Sequence, residues 1–112
     1  IDRVIGPAIE RFGATWILIS AGYDGHRNDP ITDLGYTSTD IADLVGAVTA
    51  LVGRGRVVTV LEGGYDLDAI RLSSAAVTAQ LVGESFRPEP ATDGGPGMGI
   101  VDAAAEIHGP HE

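Results

Sequence analysis

Two stretches of this sequence end an apolar run in glycine, tyrosine and aspartate. The run from Trp16 to Ser20 continues into AGYDGHRNDP, and the run from Val57 to Leu61 continues into EGGYDLDA. The residues in these stretches that could do chemistry are Asp24 and Tyr65. A carboxylate in such a position can bind a metal ion, act as a base or cap a turn. A tyrosine hydroxyl can donate a hydrogen bond to an oxygen that develops negative charge.

Each of these residues also has a structural interpretation. Aspartate is a common turn residue, and Tyr65 could pack on a sheet edge with its hydroxyl in water. The paired glycines Gly63 and Gly64 let the backbone bend sharply and approach a ligand. A phosphate-binding loop is disfavoured, because EGGYDL has neither the GxGxxG spacing nor the GK[ST] ending.

Other candidate residues lie in the loop after Asp24 and near the end of the chain. His26 follows Asp24 at the spacing of an Asp-x-His ligand pair, although most single loop histidines are solvated. Asp29 precedes a proline and is predicted to fix a turn. His108 and His111 are expected to take no part in catalysis. The sequence contains no Gly-x-Ser-x-Gly motif for an acyl-enzyme serine.

The spacing of apolar residues predicts the elements that must position these side chains. Thr37 and Asp40 resemble a capping box, and Gly13 is a predicted helix end. The order helix, strand, helix, strand, helix predicts a right-handed βαβ unit in a parallel sheet. We predict helices over residues 2–12, 37–52 and 66–83, buried strands over 16–20 and 57–61, a long loop over 21–36 and a brief helix over 100–107.

Both Gly-Tyr-Asp stretches are therefore predicted to lie at the same edge of the sheet. Ligands bind beyond the carboxyl ends of the strands in open α/β sheets, so both stretches face a potential site. Two strands do not make a self-sufficient sheet, and parallel strands need helices on both faces. The first residue is also Ile1 rather than methionine. For these reasons we expect a fragment of a larger domain. We predict that residues 1–86 are part of an α/β domain and that residues 87–112 form a flexible tail rich in proline and glycine.

The composition narrows the class of partner. The net charge of −9 argues against a nucleic-acid-binding surface. No apolar run approaches the roughly 20 residues of a membrane span, and no stretch resembles a signal peptide. The absence of cysteine excludes thiolate metal sites and is compatible with a reducing compartment. We expect a cytoplasmic protein that contacts neither nucleic acid nor membrane and that could oligomerise.

The stretches SAGYDGHRNDPI, LGYTSTDIADL and VVTVLEGGYDLDAI closely resemble the C-terminal part of the zinc-dependent histone deacetylase family. This superfamily includes acetoin-utilisation proteins and acetylpolyamine amidohydrolases, and the likeness covers about residues 1–83. The motifs HRNDP and LEGGYDL look closer to those of class II and bacterial family members than to those of class I. The resemblance implies part of a three-layer α/β/α domain of the arginase/deacetylase type, to which this chain contributes the βαβ unit and its flanking helices.

The resemblance also implies roles for matching positions. Asp24 matches an aspartate zinc ligand, and Tyr65 matches the tyrosine that hydrogen-bonds the substrate carbonyl and the tetrahedral intermediate. Gly63 and Gly64 match glycines beside the acyl channel, whereas His26 matches a position that is not a ligand. In the family, the Asp-x-His ligand pair and the proton-transferring His-His pair precede these motifs. In this sequence no Asp-x-His precedes Asp24, and no two histidines are adjacent.

The function implied by the resemblance is metal-assisted amide hydrolysis by a longer parent enzyme. Such an enzyme would use Zn²⁺ to remove acetyl groups from acetyl-lysine or acetylated polyamines, whereas this chain alone is expected to be inactive. The alternative is a non-catalytic α/β module that binds a small ligand or a protein partner at the carboxyl ends of its strands.

Overall fold

The computed structural model describes residues 1–108 and contains four helices and two strands over that range. His111 and the end of the predicted tail lie outside the described residues. The elements are α1 (Ile5–Phe12), β1 (Ile17–Ala21), α2 (Ser38–Val52), β2 (Val57–Leu61), α3 (Leu67–Val82) and α4 (Met98–His108).

The two strands form a parallel pair joined by α2, which confirms the predicted βαβ unit. Ile17 pairs with Val57 at the amino ends, and Ala21 pairs with Leu61 at the carboxyl ends. The second strand has the predicted bounds, and the first lies one residue later than predicted. The register therefore brings the two strand ends side by side, with a Gly-Tyr-Asp stretch following each.

The predicted capping box at the start of α2 is confirmed. The Thr37 backbone N–H donates to Asp40 Oδ2 at 2.8 Å, and the Thr37 hydroxyl accepts from the Asp40 backbone N–H at 3.3 Å. Burial raises the pKa of Asp40, but hydrogen bonds from Thr37 and Thr92 outweigh this effect and lower it. The cap satisfies backbone donors that would otherwise have no partner within the helix.

The other helix ends follow ordinary capping chemistry. The first helix begins at Ile5, later than the predicted start at residue 2, and ends at Gly13 with φ 70° as predicted. Asp66 precedes α3 and accepts from the Ala69 backbone N–H at 2.8 Å. Gly83 ends α3 with φ 81°, a conformation in which glycine has no steric penalty.

A small core lies between one face of the sheet and helices α2 and α3. Its buried apolar members are Ala21, Tyr23, Val45 and Val77. The predicted apolar stripe of α2 also included Leu44, but this side chain is 43% exposed. The prediction was too broad because only part of the stripe faces α3 and the sheet.

The opposite face of the sheet is exposed. Leu18 on β1 is 73% exposed, and Val58 and Val60 on β2 are also exposed. The strands are therefore not buried on both faces as their apolar pattern indicated, and this chain covers only one face of the pair. The reason is that no element within residues 1–108 covers the side chains that point away from the core.

Glu89 joins the segment after α3 to the rest of the domain. Its carboxylate accepts from His26 Nε2, Arg27 Nη2 and the Ser38 backbone N–H, each at 2.8 Å. Its backbone carbonyl accepts from the Thr39 hydroxyl at 2.6 Å. These bonds place the start of the segment 87–112 against the beginning of α2. The domain boundary after residue 86 and the flexibility of the segment stay predictions.

The carboxyl group of Glu89 is held in its charged form. Burial raises its pKa, but hydrogen bonds from Ser38 and His26 outweigh this effect and lower the pKa to about 2. The negative charge also lies at the amino terminus of α2, where the helix dipole favours an anion.

The last helix, α4, includes the predicted segment 100–107 and extends it at both ends. It is joined to the amino-terminal region by an ion pair between Asp102 and Arg3, which precedes α1, at 2.7 Å. A hydrogen bond from Arg11 on α1 to the His108 carbonyl adds a second link. Within residues 1–108, no helix combines the length and the apolar character that crossing a membrane requires.

We predict that the exposed sheet face makes the isolated chain associate or aggregate. An apolar sheet with open edges presents both a hydrophobic surface and unpaired backbone groups. Sedimentation velocity should therefore show oligomers, and Leu18→Lys should reduce them. The control is Ile100→Lys, which changes an equally exposed residue on α4. A monomer with one sharp thermal transition in the unchanged chain would contradict this prediction.

We also predict that Glu89→Gln lowers the free energy of unfolding at neutral pH by about 1.5–3 kcal/mol, the usual range for hydrogen bonds to a charged group. The ordinary pKa of this group is 4.5 and its folded value is about 2. The stabilisation is therefore complete above the ordinary value and is lost as pH falls toward the folded value.

Urea unfolding of the Leu18→Lys chain at neutral pH and at about pH 3 measures this effect. The Glu89→Gln variant should lose much of the difference between the two conditions. The matched control is Glu84→Gln, which changes an exposed carboxylate and should retain that difference. Equal behaviour of the two variants would show that the Glu89 contacts do not stabilise the fold.

Candidate functional site

The two strand ends stay bonded to each other beyond the sheet. The Glu62 backbone N–H donates to the Ala21 carbonyl at 3.2 Å, and the Tyr23 backbone N–H donates to the Gly63 carbonyl at 2.7 Å. The backbone that carries Asp24 therefore lies directly beside the paired glycines that precede Tyr65.

The Asp24 side chain lies against the backbone of two glycines. A Cβ atom built on Gly22 would lie 2.6 Å from Asp24 Oδ1, and one built on Gly63 would lie 3.0 Å from the same atom. Either side chain would displace the carboxylate, so the close approach depends on glycine at both positions. The structure thus brings together Asp24 and Gly63, which were predicted as a metal ligand and a channel residue.

Gly64 has a different environment from Gly63. Its φ is 138°, and a Cβ atom there would lie 3.0 Å from Ile70 Cγ1 and 3.4 Å from Tyr23 Cβ. This glycine permits a turn packed between α3 and the core. The placement of Gly63 and Gly64 beside an acyl channel stays a prediction.

The two Gly-Tyr-Asp copies use their residues differently. In the first copy Tyr23 is buried, with its hydroxyl bonded to Ser74 and its pKa raised by that burial, while Asp24 is half-buried. In the second copy Tyr65 is 59% exposed, while Asp66 caps α3. One copy therefore presents its carboxylate, and the other presents its phenol.

The prediction that His26 is solvated is wrong. The ring is 1% exposed, donates from Nε2 to Glu89 and accepts at Nδ1 from the Asn28 backbone N–H at 3.1 Å. An acceptor at Nδ1 and a donor at Nε2 describe the neutral tautomer. Both ring nitrogens are committed to structural bonds, so His26 is not available to bind a metal beside Asp24.

Two carboxylates in this region have roles that the sequence analysis missed. Glu89 lies in the segment predicted as a tail, and no local pattern links it to His26. Asp29 was predicted to fix a turn, which its bonds to the Ile31 and Thr32 backbone N–H groups confirm. It also accepts from the Tyr65 backbone N–H at 3.0 Å. The Asp-Pro pair signalled the turn, but the bond to Tyr65 spans 36 positions and leaves no local signal.

The Asp24 carboxylate fits the role of one ligand in a metal site. The Asp24 carboxylate accepts no hydrogen bond from the described residues, so its oxygens are free to bind a cation. Over residues 1–108, no group of three or more histidine, aspartate or glutamate side chains could hold a metal ion. Zinc in proteins usually takes three or four protein ligands, so this chain supplies only part of such a site.

Comparison with known proteins identifies the family. The family model of the histone deacetylase domain matches residues 1–81. The chain belongs to the histone deacetylase family. This match covers both Gly-Tyr-Asp stretches and all the predicted site residues, and it bears out the resemblance seen in the sequence.

Individual histone deacetylase relatives agree with the family match. A probable deacetylase of Archaeoglobus fulgidus is 37% identical over 87 residues, covering 74% of this chain and 24% of the relative. The chloroplastic histone deacetylase 10 of Oryza sativa subsp. japonica is 41% identical over 86 residues, covering 74% of this chain and 19% of the relative. The chain spans about a quarter or less of the length of these relatives.

Solved histone deacetylase structures share the fold. The HDA15 HD domain superposes with a TM-score of 0.79 at 31% identity, covering 96% of this chain and 28% of that one. The histone deacetylase Clr3 superposes with a TM-score of 0.76 at 28% identity, covering 95% of this chain and 17% of that one. The predicted arginase/deacetylase-like α/β fold is therefore confirmed.

We predict that the isolated chain binds zinc weakly, with a dissociation constant larger than micromolar. Asp24 belongs to no group of three or more potential ligands among the described residues, and fewer protein ligands than this do not normally hold zinc. Isothermal titration calorimetry of the chain and of Asp24→Ala measures this affinity. Sub-micromolar binding that the substitution abolishes would contradict the prediction and would reveal a complete site.

Proposed function

We propose that this chain is part of a zinc-dependent deacetylase, to which it supplies one metal ligand and one hydrogen-bond donor for the reacting carbonyl. The observation that carries the proposal is the convergence of the two strand ends. Asp24 lies against Gly63, and Tyr65 follows two residues later on the same turn. Membership of the histone deacetylase family supports these roles for the two residues.

The residues of this chain would act in distinct ways. Asp24 would supply one ligand to a zinc ion, and the chemistry that zinc would supply there is Lewis-acid activation of the acetyl carbonyl and of the attacking water. The Tyr65 hydroxyl would donate to the oxygen that gains negative charge during attack on the amide. Removal of one such donor in other enzymes costs about 2.7–4 kcal/mol. The exposed Tyr65 side chain is free to face a substrate.

The substrate class that we propose is an acetylated amine, either acetyl-lysine on a protein or an acetylated polyamine. Several relatives have names that contain histone deacetylase, whereas the archaeal relative is named only as a probable deacetylase. An acidic chain with a net charge of −9 is compatible with cationic substrates.

We also propose that the protein is cytoplasmic and that it is related to bacterial members of the family.

We predict that Tyr65→Phe and Asp24→Ala have different effects in a longer polypeptide that contains this segment and the family's other ligands. Tyr65→Phe should lower kcat about 10²–10³-fold and retain zinc, because the phenol acts on the reacting oxygen. Asp24→Ala should lower both turnover and zinc content, because it removes a ligand. Turnover of an acetyl-lysine peptide and metal analysis of the purified proteins measure these effects.

The matched controls are Tyr36→Phe and Asp33→Ala, which make the same changes in the loop between β1 and α2. Both should retain activity and zinc. Equal loss of zinc in the two test variants would contradict the division of roles. A longer polypeptide with no zinc-dependent turnover would favour the non-catalytic module, and turnover by the 112-residue chain alone would show that a complete site exists within it.

A further inference from the structure

Asp29 is a buried carboxylate that uses its two oxygens on different parts of the chain. It is 7% exposed. Oδ1 accepts from the Ile31 backbone N–H at 2.8 Å and from the Thr32 backbone N–H at 3.3 Å. Oδ2 accepts from the Tyr65 backbone N–H at 3.0 Å. Backbone amides therefore satisfy a buried charge that has no ion-pair partner within residues 1–108.

The turn held by Asp29 also reaches Asp24. The Thr32 backbone N–H donates to Asp29, and the Thr32 hydroxyl donates to the Asp24 backbone carbonyl. One carboxylate is thus connected to the backbone of Asp24 through a single residue and to the backbone of Tyr65 directly. These are the two residues whose relative position the proposed chemistry requires.

The backbone of Tyr65 lies between two residues that have bonds of their own. Gly63 accepts from the Tyr23 N–H, and Asp66 caps α3. The Tyr65 side chain is 59% exposed, so its own packing does not fix its position. The bond to Asp29 therefore restrains the turn at the point where the phenol branches from the backbone.

We propose that Asp29 is a positioning residue that fixes the backbone of Tyr65 relative to Asp24. The proposal rests on the function proposed above and adds a residue that does not contact the reacting atoms. Displacement of a reacting group by about 1 Å can cost about 10²-fold in rate, so loss of this restraint should impair turnover without removing the phenol or the metal ligand.

The variant Asp29→Asn separates the two functions of this side chain. Its remaining oxygen can accept from Ile31 and Thr32, whereas its NH₂ group cannot accept from the Tyr65 N–H. Hydrogen exchange of the amide-labelled Leu18→Lys chain, measured by NMR, reports the bond directly. We expect exchange of the Tyr65 amide to become about tenfold faster or more, with the Ile31 and Thr32 amides still protected.

The matched control is Asp33→Asn, which makes the same substitution at an exposed position of the same loop. It should leave exchange at Tyr65 unchanged. Unchanged exchange at Tyr65 in Asp29→Asn would overturn the proposal. Faster exchange by the same factor at all amides would overturn it as well, because the carboxylate would then contribute only to global stability.

A double-mutant cycle of Asp29 and Tyr65, with kcat of the longer polypeptide as the readout, tests whether Asp29 acts through Tyr65. We expect Asp29→Asn to lower kcat about tenfold or more, with KM and zinc content changed less than about twofold. In a Tyr65→Phe background the same substitution should lower kcat less than about twofold further. Equal effects in both backgrounds would overturn the proposal. An inactive longer polypeptide would count against the proposed function, while the exchange experiment would still decide the role of Asp29.

Discussion

The parallel register of the two strands is the constraint on which the candidate site depends. Pairing of Ala21 with Leu61 ends both strands at the same level. The hydrogen bonds continue past the strands to Gly63, so the two turns are held together before any side chain contributes. Ligand sites of open α/β sheets lie beyond the carboxyl ends of the strands, and here the segments that follow both strands meet at that edge. A shift in this register would move Asp24 away from the glycines against which its carboxylate lies.

Two carboxylates, the buried Asp29 and the partly buried Glu89, then hold the loops over this edge. Asp29 bonds both to its own turn and to Tyr65, and Glu89 bonds to His26 and to the start of α2. Each accepts several hydrogen bonds from groups far apart in sequence. A buried charge requires such partners, so each carboxylate restricts every loop that supplies a donor. The loop between β1 and α2 is therefore long in sequence but is held by hydrogen bonds at several points.

The core of this chain is small compared with the fold to which it belongs. Helices α2 and α3 cover one sheet face, and the other face exposes Leu18, Val58 and Val60. The superposed histone deacetylase structures are several times longer than this chain. The chain thus contains the sheet edge that carries the candidate site and one helical layer. The second helical layer of the three-layer fold is not among residues 1–108.

The sequence by itself determined the elements, their order and the family. Apolar runs, the Thr37 cap and the helix-ending glycines are local features, so strands and helices could be predicted from neighbouring residues. The motifs around Asp24 and Tyr65 sufficed to indicate the family. Only the tertiary structure decided that His26 is buried against Glu89, that Asp29 bonds to Tyr65 and that one sheet face is open. These outcomes depend on residues that lie far apart in the chain and meet only after folding, and burial and hydrogen bonding between such residues have no local pattern.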